Sequence, residues 1–151
     1  MKKFSLTDLL ISVVTAELVG TVSALVAGNF QTFYSQIIRP PLSPPAIVFP
    51  IVWTLLYALM GISAFIVKNQ KSGSLKIYAI QLAVNFMWSI IFFRFRMFGL
   101  SAITAVILMV LVGIMVLQFF KVSKISAVLN IPYLLWSVFA TYLAVSIYII
   151  N

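Results

Sequence analysis

Residues 39–61 have the sequence RPPLSPPAIVFPIVWTLLYALMG, in which a proline-rich segment leads directly into a long apolar run. Proline fixes the backbone dihedral φ, so residues 39–45 are stiffer than their number suggests. The residues from 47 to 67 that follow carry no charged side chain. Because about 20 mainly apolar residues are enough for a helix to cross a bilayer, this stretch predicts a transmembrane helix entered through a rigid connection.

Four more apolar runs flank this one, at about 6–27, 75–93, 100–120 and 125–150. Of the 151 residues, 64% are hydrophobic and only 8% are charged, whereas about a quarter of a soluble domain is charged. The sequence therefore predicts an all-α integral membrane protein with a single domain, a bundle of five transmembrane helices. The connection 28–45 is much longer than the others, and long loops of this kind commonly act as lids.

The first run has an alternative interpretation as a cleaved signal peptide, because Lys2 and Lys3 precede it. Glu17 interrupts its apolar region, however, and Leu25-Val26-Ala27 is a poor cleavage site. We therefore favour a first transmembrane helix.

The basic residues sort by side when five spans are assumed. The positive-inside rule then predicts a cytoplasmic N-terminus and an external C-terminus. The net charge of +8 is accounted for by anchoring at the membrane surface, so we expect no nucleic-acid partner. The cations on the N-terminal side are Lys2, Lys3, Lys68, Lys71, Lys76, Lys121 and Lys124, and those on the other side are Arg39, Arg94 and Arg96.

The composition excludes several kinds of chemistry. The chain has no cysteine and no histidine, which rules out disulfides, thiolate metal sites, imidazole haem ligands and histidine acid–base catalysis. We therefore expect no metal site and no obligatory cofactor.

Helices two, three and five each have one aromatic and polar face at helical spacing. The amides on helix three must face protein or a cavity, because an amide facing lipid would lack hydrogen-bond partners. The tryptophans either fill the core or line a ligand cavity with a few polar groups. These faces comprise Phe49, Trp53 and Tyr57; Gln81, Asn85, Trp88 and Phe92; and Tyr133, Trp136, Phe139 and Ala140.

Two patterns of small residues leave further alternatives open. Ala79 and Ala83, four residues apart on helix three, permit close helix packing, either at a homodimer seam or within the bundle. Helix one carries Glu17 on the same face as a smooth groove of small residues, Gly20, Ala24 and Gly28. Such an acid indicates either a hydrogen bond to a neighbouring helix or, with the groove, proton-coupled passage of a lipid or small hydrophobic solute.

Three segments together resemble the translocator protein family, also called tryptophan-rich sensory proteins or peripheral-type benzodiazepine receptors. They are residues 39–61, residues 81–93 with the sequence QLAVNFMWSIIFF, and residues 132–141 with the sequence PYLLWSVFAT. The resemblance extends over nearly the whole chain. It implies a five-helix bundle, often dimeric, that binds porphyrins such as protoporphyrin IX and benzodiazepine-type drugs beneath the first loop.

The resemblance also implies which residues bind and react. Bacterial relatives are associated with light-dependent porphyrin degradation, for which Trp53 and Trp136 are the candidate photochemical residues. A transporter or a sensory scaffold regulated by porphyrin is the alternative. The implied ligand-binding residues are Tyr34, Pro44, Phe49, Trp53, Tyr57, Asn85, Trp88, Phe92, Trp136 and Ala140.

The chain departs from the family pattern at several positions. Leu42 and Ile47 stand where many members have tryptophan, and the animal cholesterol motif lacks its basic residue after Tyr148. We therefore do not expect cholesterol transport. The preference for lysine over arginine and the many isoleucines indicate a bacterial plasma membrane.

Overall fold

The computed structural model describes residues 3–151, so Lys2, one of the predicted surface anchors, lies outside it. The regular structure in this range is helical. Helix α4 continues without interruption into a π-helical turn at Ile90–Arg94. The helices are α1 Leu6–Ala27, α2 Phe30–Gln36, α3 Val48–Lys68, α4 Lys76–Ser89, α5 Phe98–Val122, α6 Lys124–Leu129 and α7 Ile131–Ile150.

Five segments within residues 3–151 are long and apolar enough to cross a membrane. They are Leu6–Ala27, Val48–Lys68, Lys76–Arg94, Phe98–Val122 and Lys124–Ile150, and their ends lie within two residues of the predicted ones. The predicted fold class, an all-α membrane protein with five transmembrane helices, is confirmed.

The first connection is not an irregular loop throughout, because it contains α2. The Asn29 side chain caps this helix by accepting the Thr32 N–H at 3.0 Å. An asparagine at this position satisfies a backbone donor that has no partner within the helix. The connection is therefore a short helix followed by the proline-rich segment.

The fifth span is divided at Asn130, where α6 ends and α7 begins. Pro132 lies in the first turn of α7, where its missing N–H costs no helical hydrogen bond. The Asn130 side chain donates to the Ser63 hydroxyl oxygen at 2.6 Å, which ties the break to α3. Pro132 thus begins a helix and does not kink a continuous one.

Helices α1 and α3 touch closely through two glycines. The Ser12 hydroxyl donates to the Gly61 carbonyl at 2.7 Å, and Gly20 lies directly against the Tyr57 ring. Small residues allow helix backbones to approach in this way. Beyond Gly20 the two helices enclose a cavity rather than packing together.

The first connection, the π-helical turn and the end of α7 meet at one end of the bundle. The Arg94 guanidinium donates to the Val26 carbonyl at 2.9 Å, and that of Arg96 donates to the Gln36 side chain. We call this the arginine end, because Arg39 also lies in the first connection.

Candidate ligand-binding site

A narrow cavity lies between α2, α3, α4 and α7, and we call it the tryptophan cavity. Seven of the ten implied ligand-binding residues line it. Its volume of about 30 Å³ leaves room for no more than one or two water molecules. The seven residues are Tyr34, Phe49, Trp53, Trp88, Phe92, Trp136 and Ala140.

A larger cavity of about 270 Å³ lies between α1, the first connection, α3 and the end of α4, and we call it the α1 cavity. Its α1 wall is the predicted groove, formed by Gly20, Ala24 and Gly28. The opposite wall includes Trp53 and Tyr57. The groove is therefore part of the tryptophan-lined region and not a separate path. Its volume is near the lower limit for small-molecule pockets, about 300 Å³.

Four aromatic side chains line both cavities, and we call them the partition. They are Phe30, Phe49, Trp53 and Phe93. The Phe30 ring centroid lies 4.9 Å from that of Phe49 and 5.2 Å from that of Phe93. These four side chains therefore form the wall that separates the two cavities.

The three tryptophans have different environments. Trp88 is buried, donates its indole N–H to the Ser101 carbonyl at 3.1 Å and stacks on Phe92. Trp136 packs edge-on against Phe49 and has a buried indole nitrogen without a hydrogen-bond partner. Trp53 is half-buried and lines both cavities. The core-filling interpretation suits Trp88, whereas Trp53 is the indole best placed to meet a ligand.

A network of buried hydrogen bonds lies behind Tyr57, a wall residue of the α1 cavity. The Asn85 amide donates to the hydroxyls of Tyr57 and Tyr133, each at 3.1 Å. The Tyr133 hydroxyl in turn donates to the Gln81 side chain at 2.7 Å. Asn85 is fully buried and lines neither cavity. Asn85 therefore lies behind the cavity wall, where it hydrogen-bonds the Tyr57 hydroxyl, and its direct part in ligand binding stays a prediction.

The later part of the first connection, residues 37–44, forms the roof of the tryptophan cavity. Tyr34 and Ser43 line the cavity, and the Tyr34 hydroxyl donates to the carbonyl of Pro44. Pro44 itself does not line either cavity. Leu42 lies in the turn above with φ +68°, a left-handed conformation that costs a residue other than glycine about 1–2 kcal/mol. The roof is thus strained and held by specific hydrogen bonds.

Sequence reasoning missed Phe30 and Phe93 as wall residues. The spacing of Phe30, Phe33, Tyr34 and Ile37 is that of an amphipathic helix and could have indicated the first. No comparable signal exists for Phe93. The π-helical turn, with its Phe95 N–H bonded to the Ile90 carbonyl at 3.1 Å, shifts the helix register, so both Phe92 and Phe93 face inward.

The structure also bears on the two patterns of small residues. Ala79 and Ala83 are exposed, so the interpretation as packing within the bundle is wrong, and the homodimer seam stays a prediction. Glu17 is half-buried. Among residues 3–151 it has neither the predicted hydrogen bond nor an ion pair.

Comparison with known proteins agrees with this architecture. The sequence matches the profile of the TspO/MBR family over residues 11–149, nearly the whole chain. The chain belongs to the TspO/MBR family. It is 34% identical to the tryptophan-rich protein TspO of Chlorobaculum tepidum over 125 residues, which cover 79% of each protein.

Two further members of the TspO/MBR family extend the comparison. The chain is 34% identical to the tryptophan-rich sensory protein of Cereibacter sphaeroides, over 72% of this chain and 70% of that protein. It is 30% identical to the human translocator protein, over 79% of this chain and 75% of that protein. The resemblance stated from the sequence motifs is therefore confirmed, and the protein is a membrane protein of this family.

Proposed function

We propose that the protein binds porphyrins such as protoporphyrin IX, and other planar hydrophobic molecules including benzodiazepine-type drugs. The observation that carries this proposal is the partition of Phe30, Phe49, Trp53 and Phe93, which is shared by the two cavities. Aromatic walls favour flat ligands because stacked and edge-on rings add to the free energy of apolar burial. In this proposal the porphyrin is a ligand, and no resident cofactor or metal takes part.

The arginine end supplies a group for the carboxylates of a porphyrin. The Arg39 guanidinium lies 4.9 Å from the centroid of the Tyr34 ring. Among residues 3–151, Arg39 takes part in no hydrogen bond, whereas Arg94 and Arg96 donate to Val26 and Gln36. A guanidinium binds a carboxylate through two parallel hydrogen bonds. Arg39 is therefore the proposed carboxylate partner at the roof.

Neither cavity holds a tetrapyrrole as it stands. The tryptophan cavity is nearly filled, and the α1 cavity, at about 270 Å³, is near the lower limit for small-molecule pockets. We propose that the ligand enters the α1 cavity and displaces rings of the partition, so that it lies between Trp53 and Trp136. The same α1 cavity also supports the second candidate, passage of a lipid or small hydrophobic solute. Regulation of a sensory partner by porphyrin occupancy is compatible with either.

The first test is a titration with protoporphyrin IX, followed by its Soret absorbance. Trp53→Phe is expected to weaken binding about 3- to 10-fold, because a lost stacking contact is worth about 0.5–1.5 kcal/mol. Phe119→Leu is the control. It removes a buried aromatic ring that lines neither cavity and should lower stability while leaving affinity within about twofold. Equal losses of affinity in the two variants, or no saturable binding to the wild type, would contradict the proposal.

Illumination tests the proposed photochemistry. Light excites the bound porphyrin, dioxygen is the oxidant, and the porphyrin is oxidised, while the protein positions it beside Trp53 and Trp136. The Soret band of the illuminated complex in air should decay several-fold faster than in Trp53→Phe/Trp136→Phe loaded to equal occupancy. Decay of the Soret band at the same rate in both proteins would mean that the protein binds porphyrin without promoting its oxidation.

We also propose a homodimer that packs through Ala79 and Ala83. These residues form an exposed stripe of small side chains on α4, and such stripes let helices approach closely in lipid. Ala83→Leu should convert dimer to monomer in light-scattering measurements. Val110→Phe, which adds bulk on the exposed face of α5, should not. A dimer that tolerates Ala83→Leu would place the seam elsewhere.

The proposed location is a bacterial plasma membrane with the N-terminus in the cytoplasm, which rests on the lysines opposite the arginine end. Because the chain has no cysteine, a single introduced one reports its own side. A membrane-impermeant maleimide should label Leu42→Cys in intact cells and leave Lys71→Cys unlabelled. The reverse pattern would invert the orientation.

A further inference from the structure

The end of α7 is hydrogen-bonded to the roof through one side chain. The Asn151 amide oxygen accepts the Ile38 N–H at 2.9 Å, and its nitrogen donates to the Ile38 carbonyl at 2.9 Å. The same nitrogen donates to the Ile147 carbonyl at 3.0 Å, within α7. One amide thus satisfies both backbone groups of a residue that is 113 positions away.

A third hydrogen bond joins α7 to the same segment. The Tyr142 hydroxyl, about two and a half turns before Asn151 on α7, donates to the Pro41 carbonyl at 2.7 Å. Pro41 precedes Leu42, the residue in the left-handed conformation. Strained backbone of this kind persists where surrounding contacts hold it, and the Tyr142 bond is such a contact.

These bonds lie beside the tryptophan cavity and not in its wall. Asn151, Ile38 and Pro41 do not line the cavity, whereas Ile37, next to Ile38, does. Ile147, whose carbonyl accepts from Asn151, also lines it. The bonded residues therefore fix the position of the roof without touching a ligand beneath it.

We infer that Asn151 and Tyr142 form a latch that sets how often the roof, residues 37–44, opens over the tryptophan cavity. This inference rests on the proposed function, in which that cavity takes part in the ligand site. All three bonds involve exposed side chains, and solvent-exposed hydrogen bonds open more readily than buried ones. The latch consequently controls the rates at which a ligand enters and leaves, with Asn151 as a positioning residue.

The first experiment needs no ligand. Asn151→Ala should speed amide hydrogen exchange at Ile38 about tenfold, because its N–H loses its acceptor and the roof its tether. Exchange at Asn85 in α4 should be unchanged. Ile149→Ala, in the same exposed last turn of α7, is the matched control and should exchange like the wild type. Equal exchange at Ile38 in both variants and the wild type would overturn the latch.

The second experiment follows the stopped-flow binding and release of protoporphyrin IX. Asn151→Ala should raise both the association and the dissociation rate constants about 3- to 10-fold while the Kd moves less than about twofold, since a latch changes the barrier more than the equilibrium. Tyr142→Phe should raise both rate constants by a smaller factor. A substitution that damaged the binding site in general would instead raise the Kd.

The two experiments separate the inference from the proposed function. Faster exchange at Ile38 with unchanged porphyrin rate constants would overturn the latch as a control of ligand exchange, while binding itself stands. The other outcome is that Asn151→Ala speeds exchange at Ile38 but the wild type binds no porphyrin. It would contradict the proposed function, while the tether between the roof and α7 would stand.

Discussion

Gly61→Ala is expected to reduce the free energy of unfolding by about 1–3 kcal/mol, the usual cost of forcing extra atoms into a packed interior. A Cβ at this position would lie 2.5 Å from the Cα of Val13 and 3.0 Å from the Ser12 carbonyl oxygen. Both neighbours are backbone atoms, which cannot rotate away as a side chain can. Helix α1 would have to move off α3, and the Ser12 bond to Gly61 would lengthen.

Gly113→Ala is the matched control for this prediction. Gly113 also lies inside a transmembrane helix, but a Cβ there would meet only the Leu134 side chain, at 4.0 Å. Alanine is the better helix former by about 1 kcal/mol, so Gly113→Ala should be neutral or stabilising. Thermal unfolding in a fixed detergent measures both variants. Equal midpoints for the two would contradict the close α1–α3 contact.

Asn85→Leu is expected to cost about 1–3 kcal/mol of stability, because it leaves buried hydroxyls without their donor. Tyr57 would lose its only hydrogen-bond partner among residues 3–151, whereas Tyr133 would keep Gln81. Leucine has the same number and branching of side-chain heavy atoms as asparagine, so no cavity is left, and the stability is lost through the missing polar contacts and the bulkier methyl groups. Because Tyr57 lines the α1 cavity, the affinity for protoporphyrin IX should also fall.

A control and a mutant cycle make the Asn85 prediction specific. Ser89→Ala removes one hydroxyl from the same helix, whose bond to the Asn85 backbone carbonyl is 3.4 Å long, and should change stability by less than about 0.5 kcal/mol. The double variant Asn85→Leu/Tyr133→Phe should lose less stability than the sum of the two single losses, because the two residues share a hydrogen bond. Strict additivity would mean that the hydrogen bond between Asn85 and Tyr133 contributes nothing to stability.

Helical periodicity predicted the aromatic wall well where the helices are regular. Phe49, Trp53, Trp136 and Ala140 face a cavity as their spacing indicates. Periodicity failed at Phe93, because a π-helical turn changes the number of residues per turn and no residue type marks it in advance. It could not separate Trp88 from Trp53 either, since the Ser101 carbonyl that binds Trp88 belongs to another helix.

The size of the cavities could not be predicted from the sequence either. A groove of small residues on α1 was evident, but whether it would be filled depends on where α1 meets α3. That distance is set at Gly61 and Gly20, where backbone and ring contacts stop the helices from closing further. The α1 cavity is the space left beyond those contacts.

The sequence by itself determined the number of spans, their ends to within two residues and, through its motifs, the family. The spans could be predicted because a backbone in lipid must satisfy its own hydrogen bonds, so that a sufficient apolar length specifies a helix. The tertiary structure decided that Trp53 lines both cavities, that Asn85 bonds Tyr57 and lines neither cavity, and that Asn151 bonds the backbone of Ile38. Those properties depend on contacts between residues far apart in the chain, such as Ile38 with Asn151. Local composition and periodicity carry no record of such contacts.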